Sequence, residues 1–310
     1  MKKQKSPLLN SGKKFFRSGR YIDYSFTVPA LAFIAIFMIY PIWYNIVMSF
    51  KEINISNLTD ASQQKFIGFA NFSAIFADKY FWNSFQNTFV FVLFSLVFQF
   101  SVGFLFALYF NKQFRGAKWM RAIILIAWMN PGIITGAIFK WLLAGDIGIF
   151  NYLLMQIGII SEPINFLAST QTSLASVILG NVWIGIPFNM VILLSGIQGI
   201  GNELYESAVI DGAGSVKKFF YITVPMLKPT IMVLLLLGFI YTFKVFDIIY
   251  AMTSGGPANS SQILPYYSYE QSFKMFKFGE GAAASCISFV LIALLAVVYI
   301  HFSNKEEMEA

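Results

Sequence analysis

Windows of about 20 predominantly apolar residues recur six times along the chain, roughly at 26–50, 88–110, 120–144, 174–198, 231–252 and 282–302. A helix of ~20 residues spans the ~30 Å hydrocarbon core of a bilayer. In lipid, backbone N–H and C=O groups find no water, so segments of this length must be α-helices; a barrel would show shorter alternating segments. The expected fold is therefore an all-α integral membrane domain with six transmembrane helices. Pro41, Pro131 and Pro187 fall inside the windows. They are expected to kink or unwind their helices where the freed carbonyls face a protein-lined cavity.

A chain that is 57% hydrophobic and only 12% charged is no ordinary soluble domain. Its net charge of +7 does not imply nucleic-acid binding, because the cations gather in particular loops. Lys2, Lys3, Lys5, Lys13, Lys14, Arg17 and Arg20 precede the first window. Lys112, Arg115, Lys118 and Arg121 lie around the connection between the second and third; Lys217, Lys218 and Lys228 lie between the fourth and fifth. The other connections are poor in cations: Lys51, Lys65 and Lys79 are offset by Glu52, Asp60 and Asp78, and none occurs over 145–174. By the positive-inside rule both termini and the 203–229 segment face the cytoplasm. This divides the chain into a basic cytoplasmic segment 1–25, a six-helix domain 26–303 and a cytoplasmic tail 304–310. The apolar stretch after the basic leader is too long for a signal-peptide core and lacks a small-residue cleavage pattern, so it is expected to remain as the first span. Cys286 is the single cysteine, which excludes an intrachain disulfide.

Three outer segments carry secondary features. Segment 51–87 contains FIGFANFSAIF and segment 146–170 contains IFNYLLMQIGII; each suits a short surface helix. Segment 254–280 opens on the turn-rich SGGPANSS. All three can be solvent loops or docking elements.

The most patterned polar stretch is 203–229, ELYESAVIDGAGSVKKFFYITVPMLKP. Glu203, Glu206, Ser207 and Ile210 share helical spacing, with acids placed to favour a helix N-terminus. Gly212 and Gly214 break that helix. Ser215 is expected to cap a second short helix reaching Phe220, before Pro225 and Pro229 turn the chain into the fifth span.

Polar groups inside spans usually face a cavity or another helix. Asn130, Asn181, Asn189 and Thr242, with neighbouring Trp128, Trp183, Phe188 and Tyr241, fit that description. Amides beside flat aromatic walls suit a sugar, which shows hydroxyls around apolar C–H faces. Taken singly, each aromatic also fits packing or an interface belt. Lys244 and Asp247, three apart, are expected to pair on one helix face, and Lys140 to snorkel. His301 has no sequence partner for a metal site or triad, so no catalytic or metal residue is assigned. No G-x-x-x-x-G-K-[ST] phosphate loop occurs. ATP coupling would thus require another subunit.

The stretch ESAVIDGAG, with nine residues between its Gly212 and a following ITVP, resembles the EAA loop of ABC-importer permeases. Glu206, Ala208, Gly212, Ile222 and Pro225 are in register with it; Ser207 replaces an alanine and Val224 a leucine. VPALAFIAIFMIYP, FIGFANF, NVWIGIPFNM and FDIIYAMTSGGPANSS are similar to the carbohydrate-type, maltodextrin-permease-like members, and the resemblance covers nearly the whole chain. It implies the type I importer fold in a bacterial cell membrane, with an ATPase-coupling helix at Glu203, Glu206, Ser207, Ala208, Asp211, Gly212, Ala213 and Gly214. It further implies a sugar path through Trp128, Gly132, Gly185, Phe188, Gly238, Tyr241, Thr242 and Val245. Gly132, Gly238 and Val245 replace polar residues of the maltodextrin type, which implies a different oligosaccharide. The partners implied are a second permease in a heterodimer, a cytoplasmic ABC ATPase dimer holding the ATP and Mg, an extracellular sugar-binding protein and surrounding lipid. No cofactor is expected on this chain. Importers of glycerol phosphate or polyamine share this architecture, and an ion-driven carrier would require a membrane-embedded carboxylate path.

Overall fold

The computed structural model describes residues 20–112 and 114–309, with side chains over 26–112, 114–299 and 301. The basic leader up to residue 19 and the side chains of the 304–310 tail lie outside the described residues. The described chain is helical, with isolated bridges Lys51 to Phe66 and Asn54 to Lys277.

The first crossing joins α1 (Arg20–Ile34) to α2 (Tyr40–Ser49) through a π turn at Ala35–Ile39, where the Tyr40 N–H donates back to the Ala35 carbonyl. Pro41 explains the turn: it lacks an N–H, and the helix widens just ahead of it. The most apolar stretch of this crossing is not buried by this chain. A short surface helix, α3 (Ala70–Ala77), follows as FIGFANFSAIF suggests. Asn71 fixes it by donating to the Ser49 and Lys51 carbonyls, 2.9 Å each.

Helix α4 (Lys79–Asn111) begins well before the apolar window, because the Asp78 side chain caps it by accepting from the Tyr80 N–H at 2.9 Å. Its 33 residues reach ~50 Å, beyond the hydrocarbon core. The third window is not a straight crossing. It is α5 (Ala117–Met129) and α6 (Gly132–Leu142), bent by 97°. Pro131 makes the break by forcing Asn130 into extended backbone, ψ 135°. The amphipathic segment forms α7 (Ile149–Gln156), and α8 (Ser173–Gln198) is the fourth crossing. Pro187 lies inside α8 without unwinding it. Packing by α4 along α8 holds it together: a Cβ on Gly103 would lie 2.5 Å from the Asn189 Cβ, so the two backbones cross closely.

After α9 (Asn202–Ile210), α10 (Ser215–Lys218) continues through a π turn at Phe219–Thr223 into α11 (Val224–Phe243). The expected stop near Phe220 does not occur. Pro225 sits in the first turn of α11, where its missing N–H is relieved by the preceding π turn, as at Pro41. The fifth crossing therefore starts earlier than the window and ends at Phe243; α12 (Asp247–Met252) is separate. Helices α6 and α12 pack on each other, helped by Gly136, where a Cβ would lie 2.7 Å from the Ala251 Cβ.

The turn-rich opening of 254–280 is present, but the segment is no solvent loop. It leads into α13 (Leu264–Tyr269) and a π turn at Glu270–Lys274, with Ser261, Gln262, Ile263, Leu264, Tyr266 and Tyr267 essentially fully buried. Burial of these apolar and hydrogen-bonded groups outweighs their looplike composition. The last helix, α14 (Phe278–Glu309), includes the sixth crossing. Among the described residues, five helices are long and apolar enough to cross a membrane, six when the bent pair counts as one span. One core surrounds Phe81, Phe91, Ile249 and Tyr267; a second surrounds Phe110, Met190, Leu193 and Leu227.

Candidate functional site

A cavity of about 400 Å³ opens where α4 and α8 meet the α5–α6 and α11–α12 breaks. From α5 comes Trp128, and from the first break Asn130 and Gly132. Helix α8 contributes Asn181, Gly185, Phe188 and Asn189; α11 contributes Gly238, Tyr241 and Thr242; the second break contributes Val245 and Asp247. Every path position carried over from the resemblance lies on this wall. Trp183 does not; its ring faces Phe139 at 6.3 Å.

The aromatic wall is a connected series. Trp128 and Phe188 lie 5.7 Å apart between ring centroids, and Phe188 meets Tyr241 edge to face at 6.1 Å. Opposite chemistry comes from amides. Gln99, missed from sequence although it is an amide within the second apolar window, donates to the Asn181 carbonyl at 3.0 Å. Asn189 donates to the Gly185 carbonyl at 2.9 Å. Among the described residues the buried Asn181 Nδ2 has no hydrogen-bond partner, leaving a donor at the cavity wall. Ile184 and Ile248 were also missed, having no signal beyond hydrophobicity.

Lys244 and Asp247 do not form the expected pair. The chain leaves helical geometry between them, the Lys244 ammonium sits 4.9 Å over the Tyr241 ring, and Asp247 turns into the cavity. A Cβ on Gly132 would lie 2.0 Å from an Asp247 carboxylate oxygen, so this carboxylate lies against the first residue of α6. Such placement suits the positive end of the α6 dipole.

At the opposite end of α8, the patterned segment forms a projecting helical knuckle. Glu203, Glu206, Ser207 and Ala208 lie on α9, and Asp211 follows its last residue. Gly212 has φ +75°, its N–H donates to the Val209 carbonyl at 3.0 Å, and the Ala213 N–H donates to the Ala208 carbonyl at 2.8 Å. This pair of bonds closes a helix through a left-handed residue, which only glycine adopts without strain. Gly214 rather than Ser215 occupies the N-cap of α10; Ser215 is its first helical residue, and no side chain caps the helix. The Tyr205 hydroxyl lies 3.0 Å from the Thr223 Oγ1, tying α9 to the π turn below α11. Val209 and Ile210 are exposed on this knuckle, Ile210 at 87%, and Val216, Phe220 and Tyr221 are exposed where the fifth crossing begins. Among the described residues no cluster of His, Cys, Asp and Glu can hold a metal ion.

Comparisons with known proteins fit this geometry. The chain is 32% identical over 282 residues to the trehalose/maltose transport system permease protein MalF of Thermococcus litoralis, covering 90% of this chain and 92% of that protein. It is 30% identical over 295 residues to the lactose transport system permease protein LacF of Rhizobium radiobacter, covering 93% and 97%. A chain of a bacterial ABC transporter involved in import of the acidic polysaccharide alginate has the same fold, with TM-score 0.81 and 24% identity over 96% of this chain and 99% of that one. Residues 99–305 match the family described as binding-protein-dependent transport system inner membrane component. With a broken-helix cavity and a projecting helical knuckle on an all-helical membrane bundle, this chain belongs to that permease family.

Proposed function

We propose that the chain is one permease subunit of an ATP-driven oligosaccharide importer in a bacterial cytoplasmic membrane, forming half of the translocation path. The observation that carries the sugar reading is the single cavity combining the Trp128, Phe188 and Tyr241 rings with the Gln99, Asn130, Asn181 and Asn189 amides. Flat apolar walls and convergent hydrogen-bonding groups are what hydroxyl-bearing rings require. Among the described residues Asp247 is the one charged group on the cavity wall, which argues against glycerol phosphate as cargo. A polyamine would suit that carboxylate, while the aromatic wall and the sugar-transport relatives favour an oligosaccharide.

In this reading both termini and the knuckle face the cytoplasm, supported by the cation-rich connections. Glu203, Glu206, Ser207, Ala208, Asp211, Gly212, Ala213 and Gly214 then form the coupling element, with the exposed Ile210 and Tyr221 available to an ATPase surface. A companion permease completes the path, an ATPase dimer supplies nucleotide chemistry with ATP and Mg, and an external binding protein delivers sugar. Nucleotide-driven closure of the ATPases moves the coupling helix and switches the bundle between inward- and outward-facing states. Such coupling works only if the ATPase and sugar each bind the two states unequally.

The test is reconstitution of the chain with its companion permease, ATPase and binding protein in proteoliposomes. Oligosaccharide uptake and binding-protein-stimulated ATP hydrolysis are expected together. Uptake by the purified chain alone, driven by an ion gradient, would refute the proposal, and uptake of polyamine without sugar would move the cargo.

A further inference from the structure

The reading above leaves a second cavity without a role. It measures about 620 Å³ and lies between the end of α4, the start of α5, the end of α8 and the head of α9. Its polar wall consists of Asn111, Arg121, Gln198, Asn202 and Tyr205, with no carboxylate. The Arg121 Nε is buried without a hydrogen-bond partner, and Arg121 forms no ion pair among the described residues. The Asn111, Gln198 and Asn202 side chains make no hydrogen bonds within the described chain. Only the Tyr205 hydroxyl is engaged, with Thr223 at 3.0 Å.

A guanidinium with a buried, unmatched N–H is costly unless an anionic acceptor fills the space. The cavity wall presents one fixed positive charge and several amide donors; the neighbouring Glu203 carboxylate lies against Gly201 and is not part of the wall. That set matches a phosphate group, whose oxygens can accept from the guanidinium and from amides at once. Arg115 and Lys118 on the same connection add to the local positive potential. Basic hollows between membrane helices on the cytoplasmic side are places where anionic headgroups collect. The cytoplasmic placement rests on the orientation proposed above; the donor set does not.

We propose that this cavity binds a phosphate ester, held by Arg121 with Gln198 and Asn202, and so braces the head of α9 against the ends of α4 and α8. An anionic phospholipid headgroup and a soluble phosphate ester share this chemistry.

The test uses the assembled transporter in nanodiscs, which expose both faces, so a wrong orientation does not mask binding. One arm measures binding of labelled glucose 6-phosphate in phosphatidylcholine discs by equilibrium dialysis. The other measures phosphatidylglycerol retained by the complex from mixed discs, by native mass spectrometry. Saturable binding is expected in at least one arm, weakened roughly tenfold or more in Arg121→Gln, as for loss of a charge-assisted hydrogen bond. Binding in the first arm identifies a soluble ester, and enrichment in the second identifies a lipid. Should Arg121→Gln fail to assemble, Gln198→Glu places a carboxylate in the wall with Arg121 retained and is expected to abolish binding. No binding in either arm overturns the proposal, including the case where a partner subunit's acid fills the cavity. Binding left unchanged by the variants overturns it too. Both readouts are independent of sugar-stimulated hydrolysis, so failure of the sugar reading and failure of this site are distinguishable.

Discussion

Gly185 is a glycine because Gln99 occupies the space beside it. A Cβ there would lie 2.1 Å from the Gln99 amide carbon, and Gln99 is held by its bond to the Asn181 carbonyl. Gly185→Ala is therefore expected to cost about 1–3 kcal/mol through overpacking, lowering the melting temperature in detergent and transport with it. Gln99→Ala in the same chain should recover much of that loss; no recovery would show that the constraint lies elsewhere. On α13, the buried Tyr267 hydroxyl donates to the Asp78 carboxylate at 2.8 Å. Tyr267→Phe should destabilise by about 1.5–3 kcal/mol, the usual worth of a bond to a charged group, read as a lower denaturation midpoint. Burial first, and then the Asp78 bond, raises the phenol's pKa above its ordinary value. The sign follows: the contribution is intact below pH ~10, where the phenol is protonated in both states, and is lost as pH rises through the folded value.

At the scale of elements, the knuckle depends on one backbone conformation. Gly212 holds φ +75° and donates to Val209; proline would fix φ near −65° and remove that donor. Gly212→Pro is expected to leave membrane insertion and the distant cavity intact while abolishing binding-protein-stimulated ATP hydrolysis. Stimulated activity equal to wild type would refute a coupling role for α9. The helix–glycine break of this segment was readable in advance, because glycine punctuation and helical spacing are local signals. The continuation of α10 into α11 was not, because a π turn absorbs the missing N–H of Pro225 without ending the helix. Prolines show the same divide. Pro131 and Pro187 both stand beside residues that line the cavity, yet Pro131 breaks its helix while Pro187 lies in an unbroken helix that α4 packs along its length. Residue identity alone does not distinguish those outcomes.

For the whole molecule, orientation is the property with the widest consequence. In a Cys286→Ser background, Ser215→Cys on α10 and Ser161→Cys on the α7–α8 connection are both exposed positions. A membrane-impermeant thiol reagent on intact cells should label Ser161→Cys and spare Ser215→Cys; the reverse pattern would invert the bundle and remove the knuckle from the cytoplasm. The recurrence of apolar helical segments and the clustering of cations were fixed by chain chemistry, since each follows from hydropathy and charge over local windows. The EAA-like spacing likewise marked the knuckle, and motif register marked the residues that line the cavity. Only the tertiary structure decided that α6 and α12 are half-helices packed together, that 254–280 is core, and that Gln99 and Asp247 reach the same cavity as Trp128. Those facts depend on contacts between residues far apart in sequence, where burial and close packing override local propensity.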